Sequence, residues 1–459
     1  MELISPTDSV FLVGESREHP MHVGGLQLYQ PPEGAGNDFV RELYQEMVAH
    51  NEFGPTFRKH PATILGGIAN LGWAYDDDVD IDYHLRRSAL PQPGRVRDLL
   101  ELTSRVHGTL LDRHRPLWEI YLVEGLTDGR FAVLTKVHHA LIDGVSALKL
   151  VEQTLSEDPD DTEVRVPWDP PRPPRRHKPR SSGASSVIPG FSRAVETAEA
   201  LAALIPSTWT LARSALLEQR LTMPFGAPKT MFNVKIGGAR RVAAQSWPLE
   251  RIRRIKSAAG VTLNDVVLAM CASALRAYLL DHGELPEAPL IAMVPVSLRD
   301  GGDGGSGGNQ VGTILCNLAT NLDDPARRLT VISESMSDNK KIFAGLSRTQ
   351  QLALSALMIA PLGLAVVPGF VATTPPPFNI VISNVPGPRK PLYWKGARLD
   401  GNYPLSIVLD GLALNITMVS NGDNLDFGLV GCRRSVPHLQ RLLGYLEDAL
   451  KDLERACLN

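Results

Sequence analysis

The stretch "FAVLTKVHHALIDGVSALKL", from Phe131 to Leu150, ends an apolar run with two adjacent histidines and an Asp-Gly pair. Residues 131–139 have the composition of a β-strand, on which successive side chains point to opposite faces. His139 therefore shares a face with Val133 and Val137, and His138 points the other way. Because the two rings cannot approach one substrate atom in the same way, we expect them to have different roles.

We expect the strand to end, and a helix to begin, at the Asp-Gly pair. Gly144 permits a tight turn, and the following "VSALKLVEQTL" is typical of a helix. A histidine at such a strand end can take a proton from a hydroxyl or a thiol, since its pKa lies near neutral pH. A G-x-S-x-G nucleophile motif is absent from the sequence, which argues against covalent catalysis. From local chemistry alone, a buried structural pair and a catalytic pair remain equal alternatives.

Length and composition set broad limits on the chain. Its 459 residues exceed the usual size of one domain, and 43% hydrophobic with 21% charged residues is typical of a globular protein with large cores. The formal net charge of −3 provides no electrostatic reason to expect nucleic acid as a partner. The four cysteines lie far apart, which favours a reducing, cytoplasmic compartment and predicts neither disulfides nor a metal site.

The composition divides the chain into three segments. Residues 1–156 and 191–459 both mix strand-like and helical runs, whereas residues 157–190 are rich in proline and charge. We therefore predict an α/β fold with an N-terminal lobe and a C-terminal lobe, joined by an exposed or mobile linker.

One uncharged stretch bears on the location of the protein. The residues from Leu352 to Val371 are long enough to span a bilayer, but Pro361, Gly363 and Pro368 interrupt them. These interruptions favour a buried helix and loop. The alternative is a surface that touches lipid without crossing the membrane.

Four motifs follow one another along the chain. "RPLWEIYLVEGL" at residues 115–126 precedes the His-His-x-x-x-Asp-Gly pattern of residues 138–144, and "TLNDVVLA" at 262–269 and "ISNVPGP" at 382–388 come later. The histidine pattern resembles the signature of the CoA-dependent acyltransferase superfamily, which includes chloramphenicol-acetyltransferase-like enzymes and peptide-synthetase condensation domains. Together, the four resemble the ordered motifs of the bacterial wax ester synthase/diacylglycerol acyltransferase family.

The N-terminal stretches "SPTDSVFL", "MHVGGLQLY" and "DIDYHLRR" are also similar to this family, so the resemblance runs from about Ser5 to the C-terminal helix. It implies two chloramphenicol-acetyltransferase-like lobes with an active-site tunnel between them. It also implies transfer of a fatty acyl group from acyl-CoA to diacylglycerol or to a long-chain alcohol, with acyl-CoA as a co-substrate and no other cofactor. The preferred acceptor stays open.

The resemblance implies different roles for the two histidines. His139 takes the proton of the acceptor hydroxyl, which then attacks the thioester, and no acyl-enzyme is required. Because apolar surroundings disfavour the imidazolium, we expect a neutral His139 ring near pH 7. His138 is expected to pack or to form hydrogen bonds behind the strand.

Three further positions complete the predicted site. We expect Asp143 to hold the turn beside Gly144, with Arg299 as its partner. Asn264 has two alternative roles. It either donates a hydrogen bond to the developing oxyanion or caps the helix that follows it.

Two other functions stay open. The first is a condensation-domain-like enzyme that forms amides or esters, and the second is a lipid-binding protein without catalytic activity. The intact His139, Asp143 and Gly144 argue against the second. A hydrophobic acceptor is dissolved in lipid. We therefore expect a cytoplasmic protein that associates peripherally with the inner face of the membrane or with lipid droplets.

Overall fold

The computed structural model describes residues 2–64, 69–170, 226–297, 311–346, 350–351, 354 and 370–458. These residues form a mixed α/β structure with two six-stranded sheets and one three-stranded sheet. Each six-stranded sheet draws most of its strands from one half of the chain, which confirms the predicted α/β class with two lobes.

The N-terminal half begins with a two-residue strand and a helix and continues with both strands and helices, and a short 3-10 helix spans Pro55–Arg58. Its strands and helices are β1 (Glu2–Leu3), α1 (Pro6–Gly14), β2 (His22–Gln30), α2 (Phe39–Ala49), β3 (Lys59–Ile64), β4 (Ala69–Tyr75), α3 (Ile81–His84), β5 (Leu85–Ala89), α4 (Val96–His107), β6 (Trp118–Glu124), β7 (Phe131–His138) and α5 (Gly144–Gln153).

The C-terminal half places three long helices beside its sheet. Its strands and helices are β8 (Arg240–Pro248), α6 (Leu249–Ala259), α7 (Leu263–Asp281), β9 (Ile291–Ser297), β10 (Val311–Asn317), α8 (Pro325–Ala344), α9 (Phe370–Thr373), β11 (Ile380–Val385), β12 (Tyr393–Trp394), β13 (Ala397–Leu405), β14 (Leu414–Asn421), β15 (Asn424–Cys432) and α10 (Arg441–Leu458).

The sheet of the N-terminal lobe has the order β12-β13-β2-β7-β6-β5, so its first two strands, β12 and β13, come from the C-terminal half. β13 pairs antiparallel with β2, with Leu405 opposite Gly24. β13 also crosses close to β15 of the other sheet, where a Cβ on Gly428 would lie 1.9 Å from the Pro404 carbonyl oxygen. Glycine at position 428 thus permits the contact between the two sheets.

β7 lies between β2 and β6 and therefore has hydrogen-bonding neighbours on both sides. Its alternating side chains enter two different cores, as the period-two pattern predicts. Phe131, Val133 and Val137 pack on one face, while Ala132 and Leu134 join a larger core on the other. That larger core includes side chains from α4, α7, β8 and β14, so it is continuous between the two lobes.

Part of the predicted linker is buried in the hydrophobic core. Trp168 is completely buried, its ring lies 5.4 Å from that of Trp118, and its indole N–H donates to the His50 carbonyl at 2.9 Å. Val164 and Val166 are also buried. The expectation of an exposed connection is therefore wrong for this part of residues 157–190, because its few apolar side chains complete the core beneath α2. The remainder, from residue 171, lies outside the described residues.

Among the described residues, α7 is the helix whose length and composition would allow it to cross a membrane. Two thirds of its most apolar window are buried inside the protein, where the helix packs against α8 and α10. Its apolar character is thus explained by burial in the core of the C-terminal lobe. The stretch Leu352–Val371 lies almost entirely outside the described residues, so both of its alternatives stay predictions.

Candidate active site

His139 follows directly after β7 and lines a cavity of about 360 Å³. Its backbone N–H donates to the Met21 carbonyl at 2.9 Å, so the adjoining strand β2 fixes the position of the main chain. Its ring stacks on Phe11 of α1, with the ring centres 4.1 Å apart. The lining residues are Asp8, Phe11, Thr56, Phe57, His139, Ala140, Leu141, Ile142, Asp143, Ser146 and Leu150.

The surroundings of His139 favour a neutral ring. Burial lowers the pKa of His139 below its ordinary value of 6.5, because the imidazolium loses its hydration. A hydrogen bond from the ring to its own backbone carbonyl opposes this shift, as do the carboxylates of Asp143 and Asp8. A neutral imidazole has one unprotonated ring nitrogen, which can accept a proton.

His138 points to the opposite side of the strand and is fully buried. Its Nδ1 accepts a hydrogen bond from the Ala140 N–H at 3.1 Å, which leaves Nε2 as the ring nitrogen that carries a proton. That Nε2 lies 3.4 Å from Oε1 of Glu15. The ring therefore links the turn after β7 to the end of α1, and it does not line the cavity.

The carboxylate of Glu15 is buried and held by three groups. It accepts hydrogen bonds from Nε of Arg113 at 2.9 Å and from the Met21 N–H at 3.2 Å, in addition to its contact with His138. Burial alone would raise the pKa of Glu15, but His138, Arg113 and Met21 together hold it below the ordinary value. Glu15 is therefore an anion that anchors His138.

Asp143 is the N-cap of α5. Its Oδ1 accepts from the Ser146 N–H at 2.8 Å, and its Oδ2 accepts from the Ser146 hydroxyl at 3.0 Å. The side chain thus holds the turn through a helix cap. Arg299 lies outside the described residues, so its pairing with Asp143 stays a prediction.

The conformation of Gly144 differs from the predicted one. Gly144 is the first residue of α5, and its backbone does not have the positive φ that only glycine adopts easily. A Cβ at this position would meet no heavy atom of the described residues within 4 Å. The expectation that Gly144 serves a tight turn is therefore wrong, and glycine instead leaves open space at the start of the helix.

Asn264 is not the cap of α7. The cap is Thr262, whose hydroxyl accepts from the Asp265 N–H at 3.2 Å, while Asp265 accepts in return from the Thr262 N–H at 2.9 Å. The capping alternative is therefore wrong. Asn264 Oδ1 accepts a hydrogen bond from Asn384 at 3.4 Å, and its amide N–H₂ has no partner among the described residues.

Asn264 does not line the cavity of His139, but its partner Asn384 adjoins a contact between the two lobes. Val385, next to Asn384 on β11, packs with Val419 against Leu148 of α5. The structure thus brings the motif at 262–269 and the motif at 382–388 together, and the second of them contacts the helix that follows the histidines. The described lining of the cavity comes from the N-terminal half, so a tunnel between the lobes stays a prediction.

Sequence reasoning missed the contributions of α1. Asp8 and Phe11 line the cavity, and Glu15 anchors His138, yet no spacing rule connects these residues with β7. The stretch "SPTDSVFL" was a usable signal, since it resembled the family, but the resemblance assigned no role to it.

Three comparisons place the chain among known proteins. The family model described as wax ester synthase/diacylglycerol acyltransferase catalytic domain matches residues 4–267, and the WS/DGAT C-terminal domain matches residues 307–454. The chain is 66% identical to the probable diacylglycerol O-acyltransferase tgs2 of Mycobacterium tuberculosis, covering 99% of both chains. It is 41% identical to the O-acyltransferase WSD of Acinetobacter baylyi, covering 99% of this chain and 97% of the relative.

Solved structures agree with this assignment. The wax ester synthase/diacylglycerol acyltransferase of Marinobacter aquaeolei VT8 superposes with a TM-score of 0.80 at 41% identity, over all of both chains. The starter condensation domain of rhizomide synthetase, at 13% identity, has a TM-score of 0.56 over 100% of this chain and 94% of that one, a likeness of fold alone. The chain belongs to the wax ester synthase/diacylglycerol acyltransferase family.

Proposed function

We propose that the protein is an O-acyltransferase that moves a fatty acyl group from acyl-CoA to diacylglycerol or to a long-chain alcohol. Membership of the family supports the reaction class. The names of the relatives, diacylglycerol O-acyltransferase and wax ester synthase, support the two classes of acceptor. One observation carries the chemistry. His139 lines a cavity next to the helix that packs on the other lobe, and burial keeps its ring neutral.

The reaction needs one base and no covalent enzyme intermediate. A ring nitrogen of His139 takes the proton of the acceptor hydroxyl as the hydroxyl oxygen attacks the carbonyl carbon of the thioester. The carbon–sulfur bond then breaks, and CoA leaves as a thiolate that takes the proton from the imidazolium. The products are an ester and free CoA, and the histidine returns to its neutral form.

Several contacts hold the base in one orientation. The ring stacks on Phe11 with an interplanar angle of 16°, which restricts the orientation of its plane. Behind the strand, the buried contact between His138 and Glu15 fixes the turn that carries His139. A base held in this way loses little entropy when the acceptor arrives, which is one source of rate acceleration.

Asn264 is the proposed donor to the oxyanion. Its side-chain oxygen is already used by Asn384, which turns the amide N–H₂ away from that residue. An amide N–H₂ stabilises negative charge on the thioester oxygen without exchanging a proton. Asp143 and Gly144 contribute through the start of α5, where the cap holds the helix and glycine keeps the space open.

A peripheral position on lipid is part of the proposal. Leu3, Val10 and Val13 expose 72%, 57% and 84% of their surfaces, and the last two lie three residues apart on α1. The same helix contributes Asp8 and Phe11 to the cavity. An apolar surface beside the cavity would bring the site to an acceptor that is dissolved in a membrane or in a lipid droplet on the cytoplasmic side.

The test is an acyl-transfer assay. Purified protein receives palmitoyl-CoA with hexadecanol or with dioleoylglycerol, and free thiol and lipid ester are measured in the same sample. We expect equal amounts of both products with at least one acceptor. Transfer to amines instead of alcohols would indicate the condensation-like alternative, and lipid binding without thiol release would indicate a non-catalytic protein.

A further inference from the structure

A second cavity, of about 950 Å³, lies where the two halves of the chain meet. We call it the arginine cleft. Its walls come from four segments of the chain, which are the residues after α1, α4 with the residues after it, the start of β8 with the residues before it, and the residue after β15. Its lining residues are Arg17, Glu18, Glu101, Ser104, Arg105, Gly108, Thr109, Leu110, Gly238, Ala239, Arg240, Arg241 and Arg433.

The arginine cleft has a surplus of positive charge, since five arginines face two glutamates. Within the part of the chain that the structure describes, Arg17, Arg105, Arg241 and Arg433 have no carboxylate partner. Of the two glutamates, Glu101 already contacts Arg97 on the exposed side of α4. Unpaired guanidinium groups that share one concave surface raise the local concentration of anions.

Arg240 forms the rigid base of the cleft. It is 4% exposed, and its guanidinium donates to the carbonyls of Gly237, Glu18 and Val408. Burial lowers the pKa of Arg240 to about 10, so the group stays charged at neutral pH. Its bonds reach from β8 to the segment after α1, and they hold two walls of the cleft together.

Glycine allows these walls to approach each other. A Cβ on Gly238 would lie 2.6 Å from the Arg17 carbonyl oxygen, and a Cβ on Gly108 would lie 3.4 Å from the Arg240 nitrogen. The close contact of three separate chain segments gives the cleft a fixed shape. A fixed arrangement of charges binds an anion with less loss of entropy than surface side chains do.

The cleft lies behind the strand end that carries the catalytic histidine. Glu15 contacts His138, and Arg17 follows only two residues later, which corresponds to at most about 7 Å of chain. On the other wall, Thr109 accepts a hydrogen bond from Nζ of Lys136 at 3.3 Å, and Lys136 precedes His139 by three residues on β7. One wall of the cleft therefore contacts β7, and another adjoins the residue that anchors His138.

We propose that the arginine cleft binds the phosphate groups of the CoA part of acyl-CoA, an inference that rests on the proposed acyltransferase function. CoA carries a diphosphate and a 3′-phosphate at one end and its thiol at the other, joined by the long pantetheine arm. Guanidinium groups match phosphate oxygens in charge and in bidentate geometry. In this proposal the cleft holds the nucleotide end, and the pantetheine arm spans the distance from the cleft to the thioester position at His139.

The activity test compares two acyl donors. The variants are Arg433→Glu and Arg105→Glu, both at exposed positions of the cleft, and the control is Arg434→Glu, an exposed neighbour outside it. We expect both cleft variants to raise KM for palmitoyl-CoA roughly tenfold or more, because charge-assisted hydrogen bonds are lost. KM for palmitoyl-pantetheine, which lacks the nucleotide phosphates, is expected to stay unchanged. An equal rise for both donors overturns the proposal.

A second test measures nucleotide binding directly and does not depend on catalytic turnover. Adenosine 3′,5′-bisphosphate is titrated into each protein by calorimetry, and we expect binding to the unchanged protein and to the control but at least tenfold weaker binding to both cleft variants. Absence of binding to the unchanged protein overturns the proposal even if the enzyme is active. Nucleotide binding by an inactive enzyme would overturn only the proposed reaction.

A lipid test separates the two sources of phosphate. Vesicles of phosphatidylglycerol are floated with each protein. We expect the cleft variants and the control to float like the unchanged protein. If the cleft variants lose vesicle binding and keep nucleotide binding, the cleft is a site for lipid headgroups and the proposal is wrong.

Discussion

Nε2 of His138 lies 3.4 Å from Oε1 of Glu15, and both side chains are almost completely buried. The contact joins the end of α1 to the turn after β7, two segments that are far apart in the sequence. It explains why the two histidines differ. His138 is tied into the protein interior, while His139, one residue later, lines the cavity and stacks on Phe11.

The two alanine variants should therefore behave differently. His139→Ala removes the base and should lower kcat/KM by roughly a hundredfold or more while the protein stays folded. His138→Ala should reduce activity less and thermal stability more, because it leaves the Glu15 carboxylate without one buried partner. Acyl-CoA turnover and thermal melting are measured on the same preparations. Equal losses of activity in both variants would contradict these roles.

The pH profile should report the lowered pKa of His139. Burial disfavours the imidazolium, so the ring stays neutral to below pH 6.5. We expect kcat/KM to be constant near pH 7 and to fall to half of its plateau at a pH below 6.5. Melting curves at each pH separate titration from unfolding. A midpoint above 6.5 with the protein fully folded would show that another group controls the rate.

Glu15→Gln should change how stability depends on pH. The pKa of Glu15 is lower in the folded protein than the ordinary 4.5, so its ionisation stabilises the fold above about pH 4.5. This stabilisation disappears as the pH falls through the lower, folded-state pKa. The variant should melt earlier at pH 7 and lose less further stability on acidification. Glu18→Gln, an exposed neighbour, is the control, and equal behaviour of the two variants would remove the anchoring role.

Asp143 should tolerate asparagine better than alanine. Its carboxylate caps α5 through two hydrogen bonds to Ser146, and asparagine is an equally good capping residue. Asp143→Ala should cost about 1 kcal/mol of stability, and Asp143→Asn should cost much less. Both are measured by chemical denaturation. If asparagine is as harmful as alanine, the negative charge matters more than the cap, as a partnership with Arg299 would require.

The exposed side chains of α1 should control binding to lipid. Val10→Glu with Val13→Glu places two charges on the apolar surface beside the cavity, which should prevent flotation with liposomes that contain diacylglycerol. Leu280→Glu, at a position that is 54% exposed on α7, is the matched control and should still float. If the unchanged protein does not float at all, the proposed peripheral location is wrong.

Local patterns in the sequence predicted the elements around the site correctly. The alternation of residues 131–139 predicted the faces of β7, and "VSALKLVEQTL" predicted α5. The opposite orientations of His138 and His139 also followed, because the period of a strand depends only on backbone geometry. These features involve residues that are close in the chain, so the sequence alone determines them.

Only the tertiary structure determined which distant segments of the chain contact these elements. The sequence has no local signal that Glu15 meets His138, that β13 completes the N-terminal sheet, or that Trp168 belongs to the core. It also did not indicate that Thr262, rather than Asn264, caps α7, since both residue types are suitable caps. Contacts between distant segments depend on how the sheets and helices pack, and packing has no periodic signature. The arginine cleft also depends on such contacts, because its charges come from four regions of the chain that only the folded lobes bring together.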